Sequence, residues 1–502
     1  MCCTGNSVPV GYKWLRRFVF RNHYTRSSLY ILFLTFLCYS LYHASRKPIS
    51  VVKGVLHNSM FPISPNNPTL VQGWIPFDQE NWSQLVGELE YAYLFTYALA
   101  MIGSGYVAER MNIRYFLTLG MFLSGICNIA FGAAQYFEIH QYHYFLFIQL
   151  LSGVVQATGW PAVVTLMGNW WGKKRRGFIM GVWNAHTSVG NIVGSLIAGH
   201  YVESDWGASF IVPGLLLMTA SALVFLTLVD RPETVQLHRL RTCESPRGNP
   251  DSASALHPPE PSSLTFNESE SMDILSPPVQ YNKRAVTFSE ALLLPNVLAF
   301  SLLLFFTKLV SYTFLYWLPN YLAAVVGDGS PLTAERAAQL SVVFDVGGIL
   351  GGILAGLLSD SQDRDAYAIT SRRAVTCCIM LAAAVPSMLL YQTVSFSVGV
   401  LSVVLLFCCG LFVNGPYALI TTAVSADLGT QRVLHDRARA LATVTSIIDG
   451  AGSFGAAFGP FLTGILVPYG WSAVFHLLLF SDLIALCIAV CIYCRTRRSY
   501  AC

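Results

Sequence analysis

Twelve apolar runs, each long enough to cross a lipid bilayer, constrain this chain more than any other feature. A membrane-spanning helix needs ~20 mostly apolar residues, because the ~30 Å hydrocarbon core offers its backbone no hydrogen-bond partners. Six runs lie near 28–48, 89–109, 115–135, 143–168, 178–201 and 207–229, and six more near 295–325, 338–359, 374–393, 398–425, 438–467 and 471–494. The sequence therefore predicts an all-α membrane protein of twelve transmembrane helices in two six-helix halves.

The composition agrees with lipid as the solvent of this chain. Of its 502 residues, 54% are hydrophobic and 12% are charged, whereas soluble domains are about 25% charged. A water-soluble body with so few charges would expose large apolar patches. This argues against soluble enzymes and secreted disulfide scaffolds, and the net charge of +4 is too small to indicate a nucleic-acid partner.

A long polar stretch rich in Ser, Pro and Glu separates the two sets of runs, and it contains "ESPRGNPDSASALHPPEPSS". Such a segment buries too little apolar surface to fold, so it is predicted to be a disordered linker. The predicted units are a cytosolic N-terminal segment, a first half, a cytosolic linker, a second half and a cytosolic tail, at 1–27, 28–229, 230–290, 291–494 and 495–502.

The orientation follows from the basic residues in short loops, which stay on the cytosolic side. Lys and Arg are concentrated before the first run, in alternate connections and after the last run, while the opposite loops are nearly free of them. Both termini are therefore predicted to be cytosolic. The one long loop on the other side contains the sequon Asn81-Trp82-Ser83, which predicts glycosylation of Asn81.

Weak similarity between the halves appears where the second and eighth runs end. "GYVAERMNIR" places Gly105 four residues before Glu109, which Arg110 follows, and "GLLSDSQDR" places Gly356 four residues before Asp360. The two glycines are half a chain length apart, and internal repeats of this kind are typical of transporters. Glu109, Arg110 and Asp360 are predicted to form ion pairs at the cytosolic helix ends.

The first apolar run carries side chains suited to binding an anion. At 100° per residue, Tyr39, Tyr42 and Arg46 share one stripe, His43 borders it, and Lys53 follows on the same side. A guanidinium fork matches phosphate or carboxylate, and a charge inside a membrane costs about 2.5–3.5 kcal/mol by insertion scales. The pattern favours an anion site centred on Arg46.

Further polar residues lie deep in other runs. The fifth run contributes a patch of Trp183, Asn184, His186 and Thr187, and the seventh contributes Lys308. Trp183, Asn184, His186 and Lys308 are predicted to contact the substrate, the alternatives being a histidine satisfied by packing and a snorkelling lysine.

Two acids also fall within the predicted spans. Asp345 in the eighth run is predicted to pair with a buried cation, Lys47 first, whereas Asp449 in the eleventh has no assignable partner.

No motif for covalent chemistry or nucleotide binding is present. The sequence lacks a glycine-rich loop followed by Lys-Ser/Thr, a Gly-x-Ser-x-Gly elbow and a paired metal-ligand helix motif. The thirteen cysteines mostly fall inside apolar runs and indicate neither a disulfide framework nor a zinc site. We expect no enzyme activity, no cofactor and no metal, and any uphill transport must use the gradient of another solute.

Four stretches, "YSLYHASRKP", "GWPAVVTLMGNWWGKKRRGFIMGVWN", "YWLPNYL" and "NGPYALI", resemble the organophosphate:phosphate antiporters of the major facilitator superfamily. Within that group the whole chain is most similar to the vertebrate sugar-phosphate exchangers of solute carrier family 37. The resemblance implies exchange of a sugar phosphate, glucose 6-phosphate first, for inorganic phosphate by alternating access, and also phosphate:phosphate exchange. It further implies a location in the endoplasmic reticulum membrane.

The resemblance also assigns residues. It implies that Arg46 is the phosphate ligand of the first helix, with Lys47 beside it and Asp345 as the acid of the eighth helix. Two positions depart from the bacterial members. Their fifth-helix histidine aligns with Thr187, one residue after His186, and one residue turns a side chain by ~100°.

The second departure concerns the seventh helix. The arginine of the bacterial members aligns with Ser311, and Lys308, one helical turn earlier, is the candidate substitute.

Two other functions remain open at this stage. One is proton-coupled symport of an organic anion, with Asp345 or Asp449 carrying the proton. The other is a non-transporting membrane scaffold or sensor that acts through the linker. Expected partners are inorganic phosphate, sugar phosphate and membrane lipid, with no nucleic acid, and the sequence indicates no oligomeric state.

Overall fold

The computed structural model describes residues 8–18, 24–57, 73–108, 110–171, 176–232, 288–325, 332–360, 366–394, 399–429 and 441–501. Within these residues the chain is helical, with no strand. Most of the predicted linker and Glu109 lie outside the described residues.

Among the residues that the structure describes, the first half contains ten helices. They are α1 (Val10–Phe18), α2 (Tyr24–Arg46), α3 (Pro48–Leu56), α4 (Trp82–Ala108), α5 (Ile113–Tyr136), α6 (Tyr142–Gln156), α7 (Gly159–Trp170), α8 (Arg176–Asn184), α9 (His186–Tyr201) and α10 (Trp206–Thr227).

The second half repeats this pattern of long helices. They are α11 (Phe288–Leu292), α12 (Val297–Val325), α13 (Ala334–Ser359), α14 (Ala366–Val394), α15 (Val400–Leu419), a π-helical turn (Ile420–Val424), α16 (Ser425–Leu428), α17 (Leu441–Leu466), a 3-10 turn (Val467–Tyr469) and α18 (Trp471–Ala501).

Eleven helical segments among the described residues are long and apolar enough to cross a membrane, which confirms the all-α membrane architecture. The predicted fifth span, 178–201, is instead divided into α8 and α9 by a turn at Ala185. The N–H of Ala185 donates to the carbonyl of Val182, three residues back, so the helix tightens here. Together α8 and α9 cover 176–201.

The first two spans are longer than the apolar pattern predicts. The first continues through α3 to Leu56, and α4 begins at Trp82 rather than near 89. Lys53 lies beyond the predicted end of the first run, and Glu90 lies just inside the predicted start of the second. In the fold they neutralise each other at 2.8 Å, and both are fully buried. Mutual compensation therefore lets both helices extend into the bundle.

Large apolar side chains cover the outside of the bundle, the reverse of a soluble protein. Phe33, Leu119, Leu215, Leu302 and Leu390 are each at least half exposed. Many polar and charged side chains are buried instead. This distribution fits a bundle whose surroundings are lipid and whose polar interior carries the function.

The two halves meet mainly where the second span of one half packs against the fifth span of the other. Helix α4 packs along α17, α8 and α9 pack along α13, and α3 packs against α12. Small residues allow the close approach, since a Cβ added at Gly87 would lie 3.3 Å from the Cα of Gly464.

A break in the first span places the central residues. Helix α2 ends at Arg46 and α3 restarts at Pro48, with Lys47 between them. Proline has no N–H to donate back along the helix, so the hydrogen-bond ladder is interrupted here. Arg46 therefore lies at a helix C-terminus, where the helix dipole favours a positive charge.

Candidate functional site

Arg46 is buried near the middle of the bundle and is held by neutral groups. Its Nε donates to Oε1 of Gln156 at 2.7 Å, and the hydroxyl of Tyr93 donates to the same oxygen at 2.6 Å. Gln156 in turn donates from Nε2 to the hydroxyl of Ser45 at 3.1 Å. The amide of Gln156 therefore fixes the guanidinium without neutralising it.

Two tyrosine rings complete the surroundings of Arg46. Its Cζ lies 4.8 Å from the ring centroid of Tyr97 and 6.0 Å from that of Tyr93. No carboxylate of the described residues forms an ion pair with Arg46, and its Nη2 has no hydrogen-bond partner. Arg46, the residue predicted to bind the anion, is thus a buried cation with one unused hydrogen-bond donor.

Lys308 on α12 is the second buried cation of the core. Its Nζ donates to Oδ1 of Asp449 at 2.7 Å and lies 3.3 Å from the hydroxyl of Ser453, both on α17. The rings of Tyr312 and Tyr417 lie 5.8 and 5.6 Å from the ammonium. Asp449, which the sequence left without a partner, neutralises Lys308.

Lys53 lies at the end of the bundle that the sequence predicts to be non-cytosolic. Besides its ion pair with Glu90, its Nζ lies 3.6 Å from the ring centroid of Trp317 in the second half. Burial lowers the pKa of His57, four residues on, so its ring is neutral at neutral pH. Lys53 is predicted to bind substrate, but in this structure its ammonium group is already paired with Glu90 and packed on Trp317.

Lys47 and Asp345, both among the described residues, form no direct ion pair. Lys47 Nζ donates to the backbone carbonyl of Leu315 at 2.8 Å, and Asp345 Oδ1 accepts from Asn191 Nδ2 at 2.9 Å. Each therefore bridges the two halves separately, because Lys47 and Asn191 belong to the first half and their partners to the second. The predicted pairing of the two is replaced by two interhalf hydrogen bonds.

The predicted histidines lie in an aromatic cluster beside the core. The ring of His186 is 4.8 Å from that of Tyr39, 4.6 Å from that of Trp183 and 6.2 Å from that of His43. Trp183 Nε1 donates to Thr35 at 3.1 Å. These contacts favour packing of His186 within the first half.

Tyr42 packs tightly within the first half. A Cβ added at Gly159 would lie 2.8 Å from its ring, so glycine is required at this contact. Tyr42 borders neither cavity described below.

A cavity lies between the two halves. Its polar lining includes Asn184, Asn191, Ser311, Asp345 and Asn414. Asn184 Oδ1 is buried without a partner, and Ser311 donates to Asn414 at 2.6 Å. Of the predicted binding residues, Asn184 borders this cavity, as does the predicted ion-pair residue Asp345, while Arg46 borders a second one.

The predicted ion-pair residues at the other end of the bundle are only partly described. Asp360 lies 4.0 Å from Nη2 of Arg373, which is closer to Asp427 at 2.8 Å. Arg110 is exposed and lies over the ring of Tyr106 at 3.3 Å. Glu109 lies outside the described residues, so the first copy of the predicted cluster stays a prediction.

Asn81 is exposed and directly precedes α4, so its side chain is accessible. No group of three or more His, Cys, Asp or Glu side chains that could hold a metal occurs among the described residues.

Sequence reasoning missed Gln156, Tyr93 and Glu90, which hold two buried cations of the first half, Arg46 and Lys53. A usable signal existed for two of them. Gln156 and Glu90 are polar residues inside predicted apolar runs, the same criterion that selected Lys308. Tyr93 carries no such signal, because tyrosine is common in membrane helices.

Comparison with known proteins gives concordant results. The family model for the Major Facilitator Superfamily matches residues 59–435. The chain is 48% identical to the human "Glucose-6-phosphate exchanger SLC37A2" over 92% of this chain and 91% of that protein. It is 43% identical to the mouse "Glucose-6-phosphate exchanger SLC37A1" over 96% and 95% of the two chains.

A solved structure supports the fold. The inward-facing, unoccupied structure of a bacterial homologue of the human lysosomal transporter Spinster superposes with a TM-score of 0.56 at 16% identity, over 94% of this chain and 98% of that one. The chain belongs to the major facilitator superfamily and, within it, to solute carrier family 37, the family of the exchangers SLC37A1 and SLC37A2.

Proposed function

We propose that this protein exchanges a sugar phosphate, glucose 6-phosphate first, for inorganic phosphate by alternating access, and also exchanges phosphate for phosphate. No covalent step and no cofactor are involved. The observation that best supports this function is the Arg46 guanidinium, which is buried without a paired carboxylate and whose Nη2 has no partner. A buried charge costs several kcal/mol when left uncompensated, and a phosphate dianion is the ligand that best relieves that cost.

The same charge accounts for obligate exchange. Moving the halves past each other with an empty site would carry an uncompensated guanidinium through an occluded, low-dielectric state. A bound phosphoryl group neutralises it and accepts from its fork. The loaded protein therefore changes conformation readily, whereas the empty one does not, so each anion carried out is replaced by one carried in.

The proposal assigns the remaining predicted residues to supporting roles. Lys308, with its partner Asp449, flanks the central site from the second half, and His186 and His43 support Arg46 from the aromatic cluster. Lys47 and Asp345, hydrogen-bonded across the halves, are proposed to change partners as the halves move.

We place the protein in the endoplasmic reticulum membrane with both termini cytosolic and Asn81 on the luminal side. This follows from the basic loops and the family, and the exposure of Asn81 supports modification there.

Labelled phosphate uptake into proteoliposomes tests the proposal. Vesicles preloaded with phosphate or glucose 6-phosphate are expected to take up label, and empty vesicles are not. Uptake that ignores the internal anion but follows a pH gradient would support proton-coupled symport. Absence of uptake of either anion by folded protein would support the scaffold alternative.

A further inference from the structure

Helix α1 lies at one end of the bundle, away from both cavities. The hydroxyl of Tyr12 donates to that of Ser27 at 2.8 Å, although a continuous helix would separate these two residues by about 22 Å. The chain therefore turns back between α1 and α2. A Cβ added at Gly11 would lie 2.7 Å from the carbonyl oxygen of Leu226, so α1 packs directly on the last turn of α10.

These contacts place α1 level with a membrane surface. The first span begins at Arg26 and the span of α10 ends at Thr227, so Ser27 and Leu226 lie at the ends of two membrane spans. With nine residues, α1 is only about 14 Å long and cannot cross a hydrocarbon core of ~30 Å. In the proposed orientation this is the cytosolic surface.

The two sides of α1 differ in chemistry. Tyr12 faces the bundle and is fully buried. Val10 and Trp14, which are one helical turn apart, are 78% and 62% exposed, and Lys13 beside them is exposed as well. An aliphatic side chain, an indole and an ammonium group on the outward side are typical of a helix that lies in the membrane interface.

The charge of the segment that contains α1 has one sign. Residues 1–27 include five Lys and Arg residues, three of them in α1, and the first acid of the chain is Asp78. A basic segment of this kind is attracted by the negative surface potential of anionic phospholipids. Exposed apolar side chains also occur in the adjoining turns of α2, at Leu29 and Phe33, so the outward side of α1 is next to a lipid-facing surface.

We propose that α1 is an interfacial helix that binds anionic phospholipids of the cytosolic leaflet. Val10 and Trp14 enter the boundary between headgroups and acyl chains, and the basic residues of α1 pair with lipid phosphates. Because Tyr12 is hydrogen-bonded to the start of the first span, the bound lipid also stabilises the cytosolic end of the span that carries Arg46. The inference goes beyond the exchange function and depends only on the proposed orientation.

Hydrogen exchange of the α1 amides in the full-length protein tests the proposal. The protein is compared in nanodiscs of phosphatidylcholine alone and of phosphatidylcholine with phosphatidylinositol. Each basic residue near an anionic surface contributes about fivefold to binding. Phosphatidylinositol is therefore expected to slow the exchange of residues 10–18 at least about tenfold, and salt at about 1 M should remove most of this difference.

Two double variants, each lacking two positive charges, provide matched controls. Lys13→Gln/Arg17→Gln should lose most of the effect of phosphatidylinositol, because it removes two of the three charges of α1. Arg495→Gln/Arg498→Gln removes two exposed charges from the end of α18 and should keep the effect. Trp14→Ala should speed the exchange of α1 in both lipid mixtures, since the indole contributes apolar contact with either lipid.

Two outcomes would overturn the proposal. One is equal exchange of residues 10–18 in wild type with and without phosphatidylinositol, which would mean that the bundle alone holds α1. The other is an equal loss of the lipid effect in both double variants, which would indicate general attraction of the protein to an anionic surface. The comparison of lipids and salt needs only wild type, so it holds if a variant fails to fold, and neither outcome depends on anion exchange.

Discussion

Arg46 in the first half and Lys308 in the second are both buried cations, but they are compensated in opposite ways. Lys308 donates to Asp449 at 2.7 Å and is neutral as a pair. Arg46 instead donates to the neutral amide of Gln156 and lies near the rings of two tyrosines. The positive charge of Lys308 is therefore neutralised within the protein, whereas that of Arg46 is free to bind an anion.

The polar core is therefore electrically asymmetric although the helices repeat. An anion entering the centre meets an uncompensated guanidinium on one side and a neutral ion pair on the other. Relatives with an arginine on the seventh helix would present two forks, whereas this chain has Ser311 there, bonded to Asn414. We therefore expect phosphate recognition to be one-sided and to depend on the first half.

The largest expected effect is on stability, in the second half. Lys308→Met leaves Asp449 buried and unpaired, and breaking a buried pair in this way costs about 3–5 kcal/mol. Thermal unfolding in detergent should show a large fall for Lys308→Met and substantial recovery when Asp449→Asn is added. If Lys308→Met alone were as stable as wild type, Asp449 would not be the group that compensates the charge of Lys308.

The second-largest effect is expected on anion exchange when Arg46 in the first half is substituted. Arg46→Lys keeps the charge but loses the fork and the bond to Gln156, so exchange of both anions should fall about a hundredfold, the size of a lost charge-assisted hydrogen bond. Counterflow of labelled phosphate measures it, with folding checked by thermal unfolding. Near-normal exchange in this variant would remove Arg46 from the site.

A smaller effect is expected when the support of Arg46 is removed. Gln156→Leu leaves Nε of Arg46 and the hydroxyl of Tyr93 without their common acceptor, at a cost of about 1–3 kcal/mol. Exchange should fall about tenfold, since the guanidinium is no longer oriented. Gln339→Leu, at an exposed glutamine, is the matched control and should behave as wild type.

The smallest effect concerns the outer surface. Asn81→Gln removes the sequon without touching either buried cation, so exchange should be unchanged and the protein should migrate faster on a denaturing gel. Glycosidase treatment of wild type should give the same migration. A migration identical to that of untreated wild type would show that Asn81 carries no glycan.

Much of the architecture could be predicted from the sequence because membrane helices are specified locally. The length of an apolar run is set by bilayer thickness, and a charge inside a run is conspicuous. Arg46, Lys308, Asp345 and Asp449 were all found in this way, and all four are buried. The break at Ala185 was missed, because no proline or glycine marks it.

The partners of these charges could not be predicted, because they depend on helices far apart in the chain. Lys53 meets Glu90 across 37 residues, Arg46 meets Gln156 across 110, and Lys308 meets Asp449 across 141. A side-chain stripe places a residue on a helix face but does not name the helix opposite. For the same reason Lys47 was assigned to Asp345, while it donates to a backbone carbonyl that carries no sequence signal.

The difference between Arg46 and Lys308 is best tested by counterflow of labelled glucose 6-phosphate into phosphate-loaded proteoliposomes. The two proteins to compare are Arg46→Lys and the double variant Lys308→Met/Asp449→Asn. Both proteins keep the net charge of wild type, since the first substitution conserves a charge and the second removes an opposed pair. We expect the double variant to retain at least about ten times the exchange of Arg46→Lys, the difference expected for a lost charged hydrogen bond. Equal loss in both, or greater loss in the double variant, would contradict it.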